Sequence, residues 1–304
     1  MAEALKNPER TARGRDEIIR PISERLTDSI LAQHGVSVTP AADGAIHRLD
    51  GTEGGKGSKP IWYALHSDFA AHGDWRTGER HFVFAEDNPD PETAQEARER
   101  AEQARREREA DRARQHALVA DLCRDEWPKL PRANPSHPYL LRKRVESLGL
   151  RQKGPLLVVP LTDGERLVNW QTIGHDGAKR FRPGGRVRGV YCPIGTIQPD
   201  QPLLICEGWA TAMTLSMATG YATAAAMNAG NLKPVAESLR ARYPSQEIVI
   251  AADNDHATAG NPGITRGKEA AAAIRGRCIW PAFAEDDTGT DFNDAVRSGG
   301  EVDL

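Results

Sequence analysis

Apolar positions along this chain change their spacing several times, and each spacing predicts a different element. Between residues 22 and 35 they stand at Ile22, Leu26, Ile30 and Leu31, the three-to-four spacing of a short amphipathic helix that Gly35 ends. Residues 61–66 and 73–78 are short aromatic stretches set off by Gly and Asp turns, which read as a small antiparallel sheet. From residue 91 to 127 the regular feature is a thin stripe of alanines, at 94, 97, 101 and 104 and then 113, 117 and 120, among dense Glu and Arg. Glu96–Arg100 and Glu102–Arg106 are i,i+4 pairs in the favourable order, so a long, largely solvated helix is expected there as a spacer. Pro128, Pro131, Pro135 and Pro138 follow it and mark a hinge.

Beyond the hinge, strands and helices are predicted in alternation. Residues 156–161 read as a buried strand and 167–174 as its hairpin partner, across the turn 162–165. The runs 202–206 and 248–252 also have the length of buried strands. Helices are expected at 211–219, 235–243 and 265–274, and strands at 221–226 and 277–280. That order is the pattern of a parallel sheet with helices on its faces. The runs 202–206 and 248–252 end in acid, Glu207 after the first, Asp253 and Asp255 after the second. Ligands of an open parallel sheet bind in the crevice at the carboxyl ends of its strands. Carboxylates gathered there repel one another unless a cation or a proton intervenes, and oxygen-only ligands suit Mg²⁺ or Mn²⁺. Taken singly, Glu207 can equally be a helix-cap partner, and the two aspartates turn formers.

A formal net charge of −3 over 304 residues hides a local concentration of cations. Lys179, Arg180, Arg182, Arg186 and Arg188 share a glycine-interrupted loop, for which phosphate is the natural counter-charge. Lys268 stands on the helix after the second acidic run. In the N-terminal part Trp62, Tyr63 and Trp75 lie near Arg76, Arg48, Lys56 and Lys59, a mixture suited to stacking bases and binding phosphates of single-stranded DNA. The same rings could serve as the core of a small sheet. The four cysteines are widely spaced without a Cys-x-x-Cys pair, so neither zinc nor a disulfide framework is expected, and a reducing cytoplasm fits. There is no apolar leader and no run of about 18 apolar residues, so no membrane partner is expected.

The ordered set Glu207-Gly208, Asp253-x-Asp255 and Asp291-x-Asn293-Asp294 resembles the Toprim domain of primases, topoisomerases and some nucleases. Its third part is similar to the acidic segment of plasmid and phage primases. The sequence hairpin, basic loop, Gly189-x-Tyr191 and then acids is similar to the catalytic core of bacterial replicative primases. The aromatic strand and the turn at 73–78 are similar to the N-terminal module of conjugative-plasmid primases. The resemblance implies an α/β fold with a Toprim parallel sheet and flanking helices over 199–304. A small basic α+β primase-core subdomain would occupy 137–198, a long charged helix and hinge 89–136, a small α+β module with an antiparallel sheet 21–88, and a loose arm 1–20.

The same resemblance implies a DNA primase of plasmid or mobile-element type, making short RNA primers on single-stranded DNA by metal-dependent nucleotidyl transfer. Glu207, Asp253 and Asp255 would be catalytic and, with Asp291 and Asp294, would hold one or two Mg²⁺ or Mn²⁺ ions. Lys179, Arg180, Arg182, Arg186, Arg188 and Lys268 would grip the nucleoside triphosphate or the template. The sequence departs from the replicative primases in having no Cys/His module before the core. It contains no Gly-x₄-Gly-Lys-Ser/Thr stretch, so a separate helicase or replication initiator is implied. A Toprim nuclease, and a non-catalytic module that binds single strands or a replication protein, are the alternatives.

Overall fold

On α1 (Ile22–His34) Leu26 and Ile30, one turn apart, are fully buried, and the helix stops where Gly35 takes a left-handed backbone with φ of 66°. The computed structural model in which this is seen describes residues 20–51, 59–67, 69–84, 91–284 and 287–302, with 91–94, 96 and 97 as backbone alone. Apart from Arg20, the arm expected at the N-terminus lies outside the described residues, as do Lys56 and the side chain of Glu96. The chain divides into two compact units, Met1–Arg108 and Glu109–Leu304.

In the first unit α1 packs on a four-stranded antiparallel sheet in the order β1-β2-β3-β4: β1 (His47–Leu49), β2 (Ile61–Leu65), β3 (Phe69–Asp74) and β4 (Arg80–Phe84). Side chains alternate between the faces of a strand. Ile61, Tyr63 and Leu65 therefore join Leu26, Ile30 and Ala70 in the core beneath α1, while Trp62 points to the other face. His34 and the fully buried His72 meet at 3.1 Å, Ser29 reaches His72 at 2.7 Å, and His81 stacks on His72 with ring centroids 5.0 Å apart. Burial is the largest cause holding the His72 imidazole down to about 4.

The helix α2 (Pro91–Glu126) is continuous over 36 residues, as its alanine and charge pattern predicts. Arg106 and Glu102 form the expected pair at 2.7 Å, both exposed. The expectation of a solvated spacer does not hold at its C-terminal end. Val119 and Cys123 are buried with Val158 and Trp170, and Trp127 and Leu130 pack against them. A stripe of Val119 and Cys123, one turn apart, is wide enough to dock a helix end that alanines alone would leave loose.

In the second unit α3 (Pro138–Lys143) precedes an antiparallel meander, β5 (Arg151–Lys153), β6 (Leu156–Thr162), β7 (Leu167–Ile173) and β8 (Lys179–Phe181). The expected hairpin is β6 with β7. There follow β9 (Cys192–Ile194), β10 (Leu203–Cys206), α4 (Trp209–Thr219), β11 (Thr223–Ala225), α5 (Leu232–Arg242) and β12 (Ile248–Ala251). The last elements are α6 (Pro262–Ile274), β13 (Arg277–Ile279) and α7 (Phe292–Arg297). Their sheet has the order β13-β12-β10-β11-β9, with β13, β12, β10 and β11 parallel and the edge strand β9 antiparallel. Helix α4 packs in the core on one face and α5 with α6 in the core on the other. The first of these cores continues through Leu157, Val159 and Leu161 of the meander, so the two sheets share it. Among the described residues no helix is long and apolar enough to cross a membrane.

Candidate metal centre

Strand β10 pairs in parallel with both β11 and β12: the crossover through α4 runs to one side of it, and the next, from β11 through α5, returns to the other. That is the switch point where an open α/β sheet forms its crevice. Cys206 and Ala251 are in register across β10 and β12, so Glu207 and, two residues past Ala251, Asp253 leave neighbouring strands at the same edge. Helix α4 begins directly after Glu207 and Gly208, with its first backbone N–H groups at that edge. Asp255 stands at the start of α6, where its Oδ2 accepts from the Gly263 N–H at 2.9 Å and its own N–H donates to Asn261 Oδ1 at 3.0 Å. A Cβ at Gly263 would stand 2.3 Å from the Asp253 carbonyl oxygen, so a glycine is needed for the helix to begin this close.

Asp253 carries the strongest electrostatic signal. Burial first, then the charges of Glu207, Asp291 and Asp255, push its carboxyl well above the usual carboxylate range. Its Oδ1 is buried with no hydrogen-bond partner. Burial also raises Glu207; Lys179 and the Ala229 N–H oppose the rise, and Asp255 and Asp291 add to it. A buried carboxylate oxygen without a partner, among acids, is a site that a cation completes. The donors are all oxygens, which fits Mg²⁺ or Mn²⁺. Among the described residues no three His, Cys, Asp or Glu side chains already converge tightly enough to chelate an ion.

Of the residues singled out in the sequence, Glu207, Asp253, Asp255, Asp291 and Lys179 act on one another here. Asp294 donates its N–H to Asp291 Oδ1 at 2.8 Å, while its carboxylate pairs with Lys143 at 3.2 Å and Arg297 at 3.5 Å and accepts from the Thr290 N–H at 3.3 Å. Its neighbour Asn293 is buried, donating to Lys143 O and Thr214 Oγ1. Arg182 bonds Glu126 of α2 at 2.7 Å and lies over the Trp170 ring at 4.6 Å, a fixed packing role instead of an open phosphate grip. Lys268 stands over Trp280 at 4.9 Å. Arg180, Arg186 and Arg188 are exposed. The loop glycines serve the protein's own packing: a Cβ at Gly185 would meet Asn169 at 2.4 Å. In the first unit Tyr63 is buried, its hydroxyl accepting from the Ala41 N–H, so it offers no ring to a ligand. Arg76 pairs with Asp74 at 2.6 Å.

Two residues near the acids gave little sequence signal. Lys143, within the basic run that forms α3, stands 3.8 Å from Asp291 as well as bonding Asp294. Met227 adopts φ of 71°, rare for a side chain of its size, and donates its N–H to the Glu207 carbonyl at 2.7 Å. Strained backbone of this kind clusters at functional sites. The next turn is held by Asn231, buried, which donates to the Val190 and Ala226 carbonyls and accepts from the Gly189 N–H.

Crossover, strand-end acids and orphaned carboxylate lie within one segment, and residues 202–301 match the Toprim domain family. Over 264 residues the chain is 36% identical to a DNA primase TraC of Escherichia coli, a match covering 81% of this chain and 24% of that protein. A second DNA primase TraC of E. coli is 30% identical over 270 residues, covering 81% of this chain and 18% of the relative. The chain thus spans about a quarter or less of the length of these curated relatives. Among solved structures, the DnaG catalytic core aligns at 13% identity with a TM-score of 0.40, over 62% of this chain and 76% of that one.

Proposed function

We propose that this chain carries the nucleotidyl-transfer centre of a DNA primase of the plasmid or mobile-element kind, joining nucleoside triphosphates into short RNA primers on single-stranded DNA. The observation that carries this reading is Asp253, whose buried Oδ1 has no partner and whose neighbours are Glu207, Asp255 and Asp291 at the ligand-binding edge of a Toprim sheet. Those four carboxylates would hold Mg²⁺ or Mn²⁺. Bound there, the ion would lower the pKa of the attacking 3′-hydroxyl and neutralise charge developing on the α-phosphate. Lys179, whose charge favours the ionised form of Glu207, would offer a positive charge to phosphate oxygens. The first N–H groups of α4 add donors of the right polarity at the same edge. Exposed Arg180, Arg186 and Arg188 would hold template phosphates. Lys143 would keep Asp291 in place from the far side. The setting would be the cytoplasm, with duplex opened by a separate helicase or initiator.

The test is direct. The full chain, with labelled nucleoside triphosphates, single-stranded DNA and Mg²⁺ or Mn²⁺, should yield new labelled RNA and lengthen an annealed primer. Shortening of labelled single strands, with no lengthening under any metal, would replace this reading by the nuclease one.

A further inference from the structure

The sheet of the first unit has one face under α1 and a second face with a different chemistry. Register sets Arg48, Trp62, Gly73 and Arg80 in one row across β1, β2, β3 and β4, all on the face opposite α1. The Trp62 indole lies against Gly73: a Cβ there would come within 3.1 Å of its Nε1 and 2.1 Å of the Glu79 carbonyl. Glycine therefore leaves room for the ring to lie along the sheet. Trp75, in the turn after β3, tilts against Trp62 with ring centroids 5.5 Å apart, and Arg48 stands over Trp75 at 5.7 Å. Trp75 is 50% exposed and Phe82, in the next row, 36%. At the β2–β3 turn the same face is different, because Phe69 is buried and shares a cleft with Arg100 and Ala104 of α2. The open part is the strip around Trp62 and Trp75, with an arginine at either end.

We propose that this strip is a binding platform for single-stranded nucleic acid, with bases stacking on Trp75 and Trp62 and phosphates meeting Arg48 and Arg80. A half-exposed indole contributes little to a core, whereas its face is free to take a base of any sequence. Cations at both ends of an aromatic row complement a flexible polyanion, and duplex DNA cannot present its base faces to such a row. The platform belongs to a unit that lacks the Toprim acids, so its binding is independent of metal and of nucleotide.

The experiment uses the full chain in EDTA without nucleotides, so failure of primer synthesis leaves its outcome intact. Fluorescence anisotropy is read with oligo(dT), oligo(U) and a duplex of equal length. Trp75→Ala should weaken single-strand binding about 5- to 100-fold, the loss of one stacked base, while Trp75→Phe retains most of the affinity. Arg48→Ala should make the log–log salt slope shallower by about 0.7, the value for one phosphate contact. Comparing the DNA and RNA oligonucleotides identifies which strand is preferred. Oligonucleotides carrying 5-iodouracil should cross-link to peptides containing residue 62 or 75. Trp75 is exposed, and an unchanged thermal melt of the variant checks that its fold survives. The proposal is overturned if Trp75→Ala binds as the parent does, if cross-links fall only in the second unit, or if single strand and duplex lose affinity equally. A change in molecular mass with unchanged oligonucleotide affinity would overturn it too, marking the strip as a contact between copies.

Discussion

Asp253 shows what a single side chain can contribute to a site and cost the fold. Its carboxylate is buried among acids with one oxygen unbonded. Asp253→Asn removes the repulsion without changing the shape, so the metal-free protein should melt several degrees higher, each kcal/mol being worth about 2–4 °C in a domain of this size. The same variant should lose the rise in melting temperature that Mg²⁺ or Mn²⁺ gives the parent, together with primer synthesis. A parent that Mg²⁺ and Mn²⁺ fail to stabilise would remove the metal centre. Gly263→Ala tests the neighbouring backbone, where a Cβ would enter the Asp253 carbonyl at 2.3 Å. It should destabilise by about 1–3 kcal/mol and impair synthesis, read from denaturant melts and extension assays. Acids at strand ends were legible because strand length, apolar content and a terminal carboxylate are all local. The partners of Arg182 and Asp294 were not, since Glu126 and Lys143 are distant in sequence and only the fold brings them near.

At the scale of elements, periodicity predicted α1, α2, β2 and the strand–helix alternation of the second unit with limits moved by only a few residues, whereas residues 73–78 form the end of β3 and the turn after it, and Lys179–Phe181 of the expected basic loop form β8. What it missed was the partner of each face. His72 lies in the part of β3 that the sequence pattern does not single out, and α1 and β4 close over it with His34, Ser29 and His81. Its imidazole titrates near 4 when folded, against 6.5 in an open chain. Between those values the unfolded chain binds a proton that the folded one does not, so stability falls as pH drops from about 6.5 to about 4 and levels off below. The loss should approach about 3 kcal/mol, at 1.36 kcal/mol per pKa unit. Burial lowers His34 as well, which adds in the same direction. Melts of the parent across this range, compared with His72→Gln, should show a slope in the parent that the variant flattens. Equal slopes would place the acid sensitivity in other groups.

For the whole molecule, the sequence placed a hinge after α2, whereas the compact units divide within the helix, between Arg108 and Glu109. The apolar residues responsible, Val119 and Cys123, are too few to be read as a docking face until Val158 and Trp170 are seen beneath them. A fragment beginning at residue 109 should therefore fold and melt cooperatively. One beginning at residue 134 should lose at least about 3 kcal/mol through exposure of that core, at about 1.5–3 kcal/mol per large apolar side chain. Denaturant titration of the two fragments measures the difference, and equal midpoints would return α2 to the role of a solvated spacer.

Asn231 has a consequence for how such chains can be recombined. One buried amide accepts from the Gly189 N–H and donates to the Val190 and Ala226 carbonyls, stitching the end of the basic loop to the turn beside Glu207. A crossover that joins residues 1–198 of one relative to 199–304 of another would take two of these main-chain partners from a different relative than the side chain, and a shift of that loop by an ångström or so would leave them unmet. Each stranded group would cost about 1–3 kcal/mol. Hybrids should survive when residues 189–231 are inherited as one block, which makes the seam between the basic meander and the parallel sheet a poor place to cut and the helix α2 a better one.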